Sequence, residues 1–270
     1  MKKFTVTENS DLRTFTDAVF PQAGFCFNIL TKNKDIKVNG ARVSANTAVK
    51  AGDEIIYYTT PKQEAMPSHT VVYEDENVLV ADKFSGVTSE GLLHELCEKG
   101  AFYAVHRLDR NTSGLIVFAK TEEAQNELLE AFRTRAVEKT YIALCKNAFS
   151  AKSATLTAYL TKNEKTSTVR ISRDEVEGSV KIITEYAVKE ERGDIALVEV
   201  RLHTGKTHQI RAHMAFIGCP VVGDTKYGDN ALNKKYGAAR QRLTAKRLKF
   251  CLGGELAYLN GKRFESAFGY

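Results

Sequence analysis

Five consecutive apolar residues, Leu115-Ile116-Val117-Phe118-Ala119, leave this chain the least choice of any stretch in it. A run so short, uninterrupted and rich in β-formers reads as a buried strand. Its chemical opposite stands immediately before it: His106-Arg107-Leu108-Asp109-Arg110-Asn111-Thr112-Ser113-Gly114. The fold must therefore hold one acid, Asp109, with Arg107 and Arg110 close by in sequence, at the mouth of a buried strand. Nearby positive charge favours an ionised carboxylate. A solvated Asp–Arg pair in a surface loop would account for the same residues taken alone.

A chain of 270 residues is long enough for one large domain and a small one. No apolar run approaches the roughly 20 residues that a membrane helix requires. Met1 to Asn9 carries basic residues without an apolar core behind them, so no secretory signal is expected. Cys26, Cys97, Cys145, Cys219 and Cys251 are scattered and never spaced as Cys-x-x-Cys. That argues for reduced thiols in a cytoplasmic protein and against zinc. Charge is unevenly placed: residues 201–250 hold eleven Lys or Arg against two acids, in a chain whose net charge is only +6. Within that block, Lys234 to Lys249 contains seven basic residues and no acid. Such a concentration suits a polyanionic partner, although a solvated basic helix would look similar.

Residues 1–60 read as a unit of their own. Leu12, Phe15, Val19 and Phe20 fall at helical spacing with Asp11 as N-cap, and Pro21 stops the helix. A second apolar stretch follows at Phe25, Phe27, Ile29 and Leu30. Ile36 to Val43 reads as a hairpin in which Asn39-Gly40 supplies the two positive φ angles of a type I′ turn. A turn and strand follow at Ala51 to Tyr58. Two helices leading into a Val-Asn-Gly hairpin and a Gly-Asp-Glu strand resemble the S4 RNA-binding module, and Lys32 and Lys34 would meet phosphates there. Phe25-Cys26-Phe27-Asn28 departs from the basic, hydroxyl-bearing start usual in that module's second helix. Residues 61–69 are polar, carry two prolines and read as a linker.

Residues 70–270 form the expected larger domain. It opens with two short strands around an acidic turn at Glu74 to Asn77. A short helix is read at Gly91 to Lys99. After the central motif, Thr121 caps a helix with Ala124, Leu128 and Phe132 as its buried stripe. Tyr141 opens a strand, residues 150–178 show little periodicity and read as short strands and loops, and Ile182, Thr184, Tyr186 and Val188 share one strand face ahead of an antiparallel partner at Ile195 to Leu202.

A second motif runs Thr204-Gly205-Lys206-Thr207-His208-Gln209-Ile210-Arg211-Ala212-His213. Gly205-Lys206-Thr207 is no phosphate-binding loop of an NTPase, because the glycine required five positions earlier is Val200. His208 and His213 are five apart without an intervening Glu, which excludes the helical zinc-hydrolase pair. The spacing instead predicts a helix from Thr207 to Ile217, ended by Gly218.

The string His-Arg-Leu-Asp-Arg-x-Thr-Ser-Gly before an apolar strand resembles the catalytic motif of the RluA-type pseudouridine synthases. The string Thr-Gly-Lys-Thr-His-Gln-Ile-Arg-x-His, with Gly-x-Pro-x-x-Gly-Asp-x-x-Tyr-Gly after it at Gly218 to Gly228, is similar to the same family. That resemblance implies an α+β fold: a mixed, mostly antiparallel sheet with flanking helices and a central RNA-binding cleft, beside the small N-terminal S4-like α/β domain. It implies an isomerase without cofactor or metal, acting on ribosomal or transfer RNA; a monomer is the default expectation, since no residue pattern speaks to oligomeric state. Asp109 becomes the essential carboxylate, Arg211 its partner, and Tyr141, in Lys-x-Tyr, an aromatic wall of the active site. Arg107, Arg110, Lys206, His208 and Ile210 would contact RNA or the extruded base. The family's entry segment ends Lys-Pro-x-Gly where this chain has Lys83-Phe84-Ser85-Gly86, so Lys83 receives no role. The rival readings are a non-catalytic RNA-binding or ribosome-assembly protein, and a glycosidase-like hydrolase; the latter needs a second carboxylate that neither motif offers.

Overall fold

The computed structural model describes residues 1–163, 167–238 and 240–270; the expectations that fall on 164–166 and 239 lie outside it. The N-terminal unit contains β1 (Lys2–Thr5), β2 (Ser10–Asp11), α1 (Leu12–Val19), α2 (Pro21–Phe25), α3 (Phe27–Lys32), β3 (Ile36–Val38), β4 (Ala41–Val43), β5 (Ala48–Val49) and β6 (Glu54–Tyr57). Strands β1, β6, β3 and β4 form an antiparallel sheet in that order. Asp11 caps α1 as expected, accepting from the backbone N–H of Arg13 and Thr14. Asn39 and Gly40 both take positive φ in the β3–β4 hairpin.

Pro21 does more than end α1. It opens α2, where a missing N–H costs nothing, so the second apolar stretch becomes two short helices instead of one. Ile29, expected inside, is exposed, while Phe27 and Leu30 are buried. The polar linker is also more ordered than its composition suggests. Pro61–Glu64 forms α4, with Thr60 and Gln63 making a reciprocal capping box.

The larger unit runs through β7 (His69–Glu74), β8 (Val78–Lys83), α5 (Ser89–Cys97), β9 (Tyr103–Ala104), β10 (Ser113–Ala119), α6 (Glu122–Thr134), β11 (Val137–Lys146), β12 (Ser153–Asn163), β13 (Thr168–Ser172), β14 (Val180–Arg192), β15 (Ile195–Leu202), α7 (Gln209–Phe216), α8 (Asn230–Lys235), β16 (Leu243–Phe250) and β17 (Phe264–Glu265). Among the described residues one sheet follows the order β13-β12-β14-β15-β11-β16-β10-β8-β7, with β9 paired to β10 and β17 to β16. All its pairings are antiparallel except β10–β16. Every residue of β10 is buried, as its apolar run requires. One apolar cluster lies around Ile116, Phe118, Tyr141 and Met214, a second around Leu115, Val117, Leu128 and Phe250. These alternate along β10, one cluster on each face of the sheet.

Residues 150–178 correct the expectation of short strands. β12 spans eleven residues, and Ala154, Leu156, Ala158 and Leu160 turn to one side. Small residues and threonines at the remaining positions hide this period of two. The basic block is corrected as well: its second half is β16, an interior strand between β11 and β10. Lys246, Arg247 and Lys249 face Glu265, Glu199 and Glu138, and Lys235 meets Asp194. Much of the positive charge counted along the sequence is thus matched across strands. No helix among the described residues is long and apolar enough to cross a membrane.

Candidate active site

Asp109 sits in the loop between β9 and β10, and that loop is fixed by its backbone. Thr112 N–H closes a turn onto Asp109 O at 3.0 Å, and Gly86 N–H donates to Arg110 O at 2.9 Å. Ser85 Oγ donates to Asn111 O at 3.0 Å, and Ser89 Oγ both donates to Leu108 O and accepts from Leu108 N–H. Beneath the loop lies Lys83, whose Nζ reaches the carbonyl oxygens of Val87 (2.8 Å), Arg110 (3.2 Å), Phe84 (3.3 Å) and Asp109 (3.4 Å). Lys83 is fully buried, and burial pushes its ammonium down to about 7, against the opposing pull of Asp109. It is a structural pin for the loop, missed in the sequence because the Pro expected after it is Phe84. An acid–lysine pair, Asp82-Lys83, closing an apolar strand was the signal available.

His106 also works locally. Its Nε2 accepts from Val117 N–H at 3.0 Å, and its ring stacks on Phe132 with centroids 4.4 Å apart. Burial, reinforced by Lys139, lowers its imidazole to about 3, so the ring is neutral and the accepting nitrogen stays free of a proton. Phe132 is half-buried: it packs against the second apolar cluster, as helical spacing suggested, and also meets the pocket. Ala131 joins the buried stripe of α6 beside it. Gly114 explains the end of the motif: at φ 108 a Cβ there would come within 3.0 Å of the Ala245 backbone, so only glycine lets β10 lie against β16.

The second motif arrives from the opposite side. His208 takes a left-handed conformation (φ 54), and α7 begins after it at Gln209, two residues later than spacing predicted. Residues 209–214 are all buried, including Gln209, Arg211 and His213. Gln209 braces the loop before the helix, accepting from Thr204 Oγ1 and Lys206 N–H while donating to Ile183 O and Thr184 Oγ1. Arg211 Nη1 donates to Asp109 Oδ2 at 2.9 Å. The other edge of the guanidinium makes two bonds to Asp224, Nε to Oδ2 at 2.7 Å and Nη2 to Oδ1 at 3.0 Å. Burial works against the Arg211 charge, but Asp224 and then Asp109 outweigh it and raise the group further. Burial likewise opposes ionised Asp224, yet Arg211 and the N–H groups of Lys226 and Tyr227 hold its carboxyl below the usual range. Asp224 is a residue that sequence reasoning quoted within a motif without assigning it work; the Gly-Asp pair after the helix was its only mark. Gly223 (φ 79) lets that segment pass the Arg240 backbone, where a Cβ would clash.

Around Asp109 and Arg211 opens a pocket of about 320 Å3, lined also by Arg107, Tyr141, Lys206, His208 and Ile210, and by Phe132, Lys139 and His106. It is within the size range of small-molecule sites. Tyr141 lies on β11 between β15 and β16, and burial, then Asp109, raise its phenol, so it keeps its proton. His208 Nδ1 meets Tyr227 Oη at 2.9 Å, and its Nε2 is 3.9 Å from Asp109 Oδ2. Burial pushes its imidazole down to about 4, against the pull of Asp109. The Arg107 side chain is 69% exposed at the pocket mouth and 3.1 Å from Glu90. Arg110 points the other way. Its guanidinium forms a two-bonded pair with Asp17 on α1 of the N-terminal unit and does not line the pocket. Neither neighbouring arginine therefore holds Asp109; Arg211, from far along the chain, does. Lys32 and Lys34 are exposed on the N-terminal unit, away from these residues in sequence and absent from the pocket lining.

The family model for RNA pseudouridylate synthase matches residues 61–216. The chain is 31% identical over 253 residues to ribosomal large subunit pseudouridine synthase C of Vibrio cholerae, covering 83% of this chain and 79% of that protein. It is 31% identical over 222 residues to the uncharacterized RNA pseudouridine synthase YlyB of Bacillus subtilis, covering 73% of this chain and 72% of that protein. Among solved structures it is similar to human RNA pseudouridylate synthase domain containing 1, with a TM-score of 0.61 at 25% identity over 75% of this chain and 83% of that one. Human RNA pseudouridylate synthase domain containing 4, at 22% identity and a TM-score of 0.57, covering 70% and 90%, shares the fold.

Proposed function

Because the chain belongs to the RNA pseudouridylate synthase family and is an isomerase of RNA uridine, we propose that Asp109 is its catalytic carboxylate and that ribosomal RNA is its substrate. The single observation that carries the first assignment is the Asp109–Arg211 contact at 2.9 Å inside the pocket. The second is supported by relatives whose names specify the large ribosomal subunit.

The reaction breaks the N1–C1′ bond, turns the freed base and joins C5 to C1′; N1 gains a proton and C5 loses one. No electron pair leaves the nucleoside and no phosphate moves. A charged carboxylate beside an electron-poor C1′ stabilises it, as in glycoside cleavage. Asp109 can serve by adding to the nucleoside or by removing a proton from the sugar, and either route begins from a charged, aimed oxygen. Arg211 supplies the aim, and Asp224 holds Arg211. Tyr141, protonated and buried, offers a flat wall on which a uracil can stack with a hydroxyl at its edge. Ile210 closes another side.

A uridine stacked in a helix cannot reach this pocket, so it must swing out, at a cost of a few kcal/mol. Arg107, exposed at the mouth, is placed to occupy the vacated space or hold a flanking phosphate. Lys206 and His208 line the entrance. Lys32 and Lys34 on the S4-like unit, residues 1–60, would extend the RNA contact beyond the catalytic unit of 70–270.

The test is tritium release from large-subunit ribosomal RNA transcripts labelled at uridine C5. The protein releases tritium and Asp109→Asn does not. Release by Asp109→Asn at the normal rate would remove Asp109 from the mechanism, and no release by the unaltered protein would remove ribosomal RNA as substrate.

A further inference from the structure

Each buried or half-buried cation around the site has a visible reason for its burial, with the half-buried Lys139 as the one exception. Lys83 is surrounded by carbonyl oxygens, Arg211 lies between two carboxylates and Arg110 is paired with Asp17. Lys139 has no such company. It stands on β11 two residues before Tyr141, just ahead of an irregularity in the pairing with β16, and lines the pocket together with that tyrosine. Its Nζ lies 5.3 Å from the Phe132 ring centroid, and a Cβ on Gly205 would come within 3.2 Å of it. Among the described residues no carboxylate or carbonyl oxygen is in hydrogen-bonding or ion-pairing reach of it. Burial pushes the ammonium below the range of a free lysine, and Lys139 in turn depresses His106.

An unpaired, partly desolvated ammonium is costly to keep, and apolar residues of similar length are cheaper there. The ring of Phe132 offsets a part of that cost through its negative face. What the ammonium lacks is an anion of its own. The second motif has glycine, at position 205, opposite the ammonium, leaving open the space that a side chain would fill. An extruded uridine brings one phosphodiester on each side of its ribose, and the pocket's neutral imidazoles at His106 and His208 contribute no charge to meet them.

We propose that Lys139 is a phosphate-binding residue inside the pocket, receiving a phosphodiester next to the extruded uridine through the gap left by Gly205. This rests on the reading of the pocket as the uridine site. The ammonium gains its counter-ion only when substrate is seated, so its burial in the free protein is a strained state that RNA relieves. Lys139 acts on binding; the bond-making atoms are left to Asp109.

The experiment compares the protein with Lys139→Met and Lys139→Arg on C5-tritiated large-subunit ribosomal RNA transcripts across a salt series, with thermal melts of the free proteins. Lys139→Met should melt no lower than the parent, because it removes an unpaired charge. Its KM should rise about tenfold at low salt, and the slope of log(kcat/KM) against log[salt] should become shallower by about 0.7–0.9, the signature of one lost phosphate contact. Lys139→Arg should restore the slope. An unchanged slope with unchanged KM overturns the assignment, as does a loss confined to kcat, which would place Lys139 on the base or sugar. A lower melting temperature with a parental slope would show Lys139 to be structural and also overturns it. Absence of tritium release by the parent protein would instead strike ribosomal RNA as the substrate, so the two failures are distinct.

Discussion

Asp224→Asn isolates what the second carboxylate does. The side chain is wholly buried, and Arg211 between the two acids is 7% exposed. The substitution keeps volume and leaves Oδ1 free to accept from Lys226 N–H (2.8 Å) and Tyr227 N–H (3.1 Å). It places an NH2 against the Arg211 Nε–H that now donates at 2.7 Å. One charge-assisted hydrogen bond disappears, about 1.5–3 kcal/mol. A buried guanidinium also loses half of its compensating charge, and breaking such pairs costs about 3–5 kcal/mol in all. Asp109 remains as a partner, so the lower half of that range applies, about 3 kcal/mol. At roughly 2–4 °C per kcal/mol the melting temperature should fall by about 6–12 °C. The catalytic consequence is geometric: a guanidinium held by one bond instead of two on its inner edge can pivot about its bond to Asp109. A misplacement near 1 Å costs on the order of 100-fold. Single-turnover tritium release at saturating RNA, well below the lowered melting temperature, should show kcat reduced about 30–100-fold with KM within about threefold of the parent. A folded Asp224→Asn protein with parental kcat would refute the claim that Asp224 aims Arg211.

Other consequences can be measured in the same preparations. Lys83→Met should destabilise by about 2–4 kcal/mol and loosen residues 108–112, because four carbonyl oxygens lose their donor; unchanged amide-exchange protection there would contradict the pinning role. Gly114→Ala should cost about 3 kcal/mol or fail to fold, since the new methyl meets the Ala245 backbone at a positive φ; normal expression and melting would show that β10 and β16 can separate. His213 is 1% exposed and burial lowers it to about 4, against about 6.5 in the unfolded chain. As pH falls through that window the unfolded chain binds the proton first, so stability drops, by about 3 kcal/mol for this group. His213→Gln should flatten the melting-temperature profile between pH 6.5 and 4, and an unaltered profile would assign the acid sensitivity elsewhere.

How much of this was legible in the residues depends on the distance over which each signal acts. The strand at 113–119, the Asn-Gly hairpin and the Asp11 cap are local, and the chain forms them where the sequence indicates. The pairing of Asp109 with Arg211 followed from resemblance, since no spacing rule links residues 102 positions apart. Arg107 and Arg110 mislead for the converse reason: neighbours in sequence at a sharp turn point in different directions, one to the pocket mouth and one to Asp17. Charge counted along 234–249 ignored strand neighbours, which supply the acids that meet it. Phe132 shows the limit of helical periodicity: its ring packs on the core as spacing suggests, and also lines the pocket, which spacing cannot show. Lys83, Asp224 and Lys139 have roles that exist only through partners, or the want of them, in three dimensions.

The position of β16 sets the order in which this enzyme can be completed. Residues 243–250 slot between β10 and β11, joining a strand made more than a hundred residues earlier in a contact that only Gly114 permits. A nascent chain that has exposed Asp109 therefore carries it on an open sheet edge, without the strand that will flank it. Topologies built on such distant pairings fold slowly and leave unpaired backbone available to other chains in the interval. Truncation ahead of residue 243 should yield aggregates rather than a weakened enzyme, and chaperone dependence during synthesis is the expected cost of placing the last long strand in the middle of the sheet.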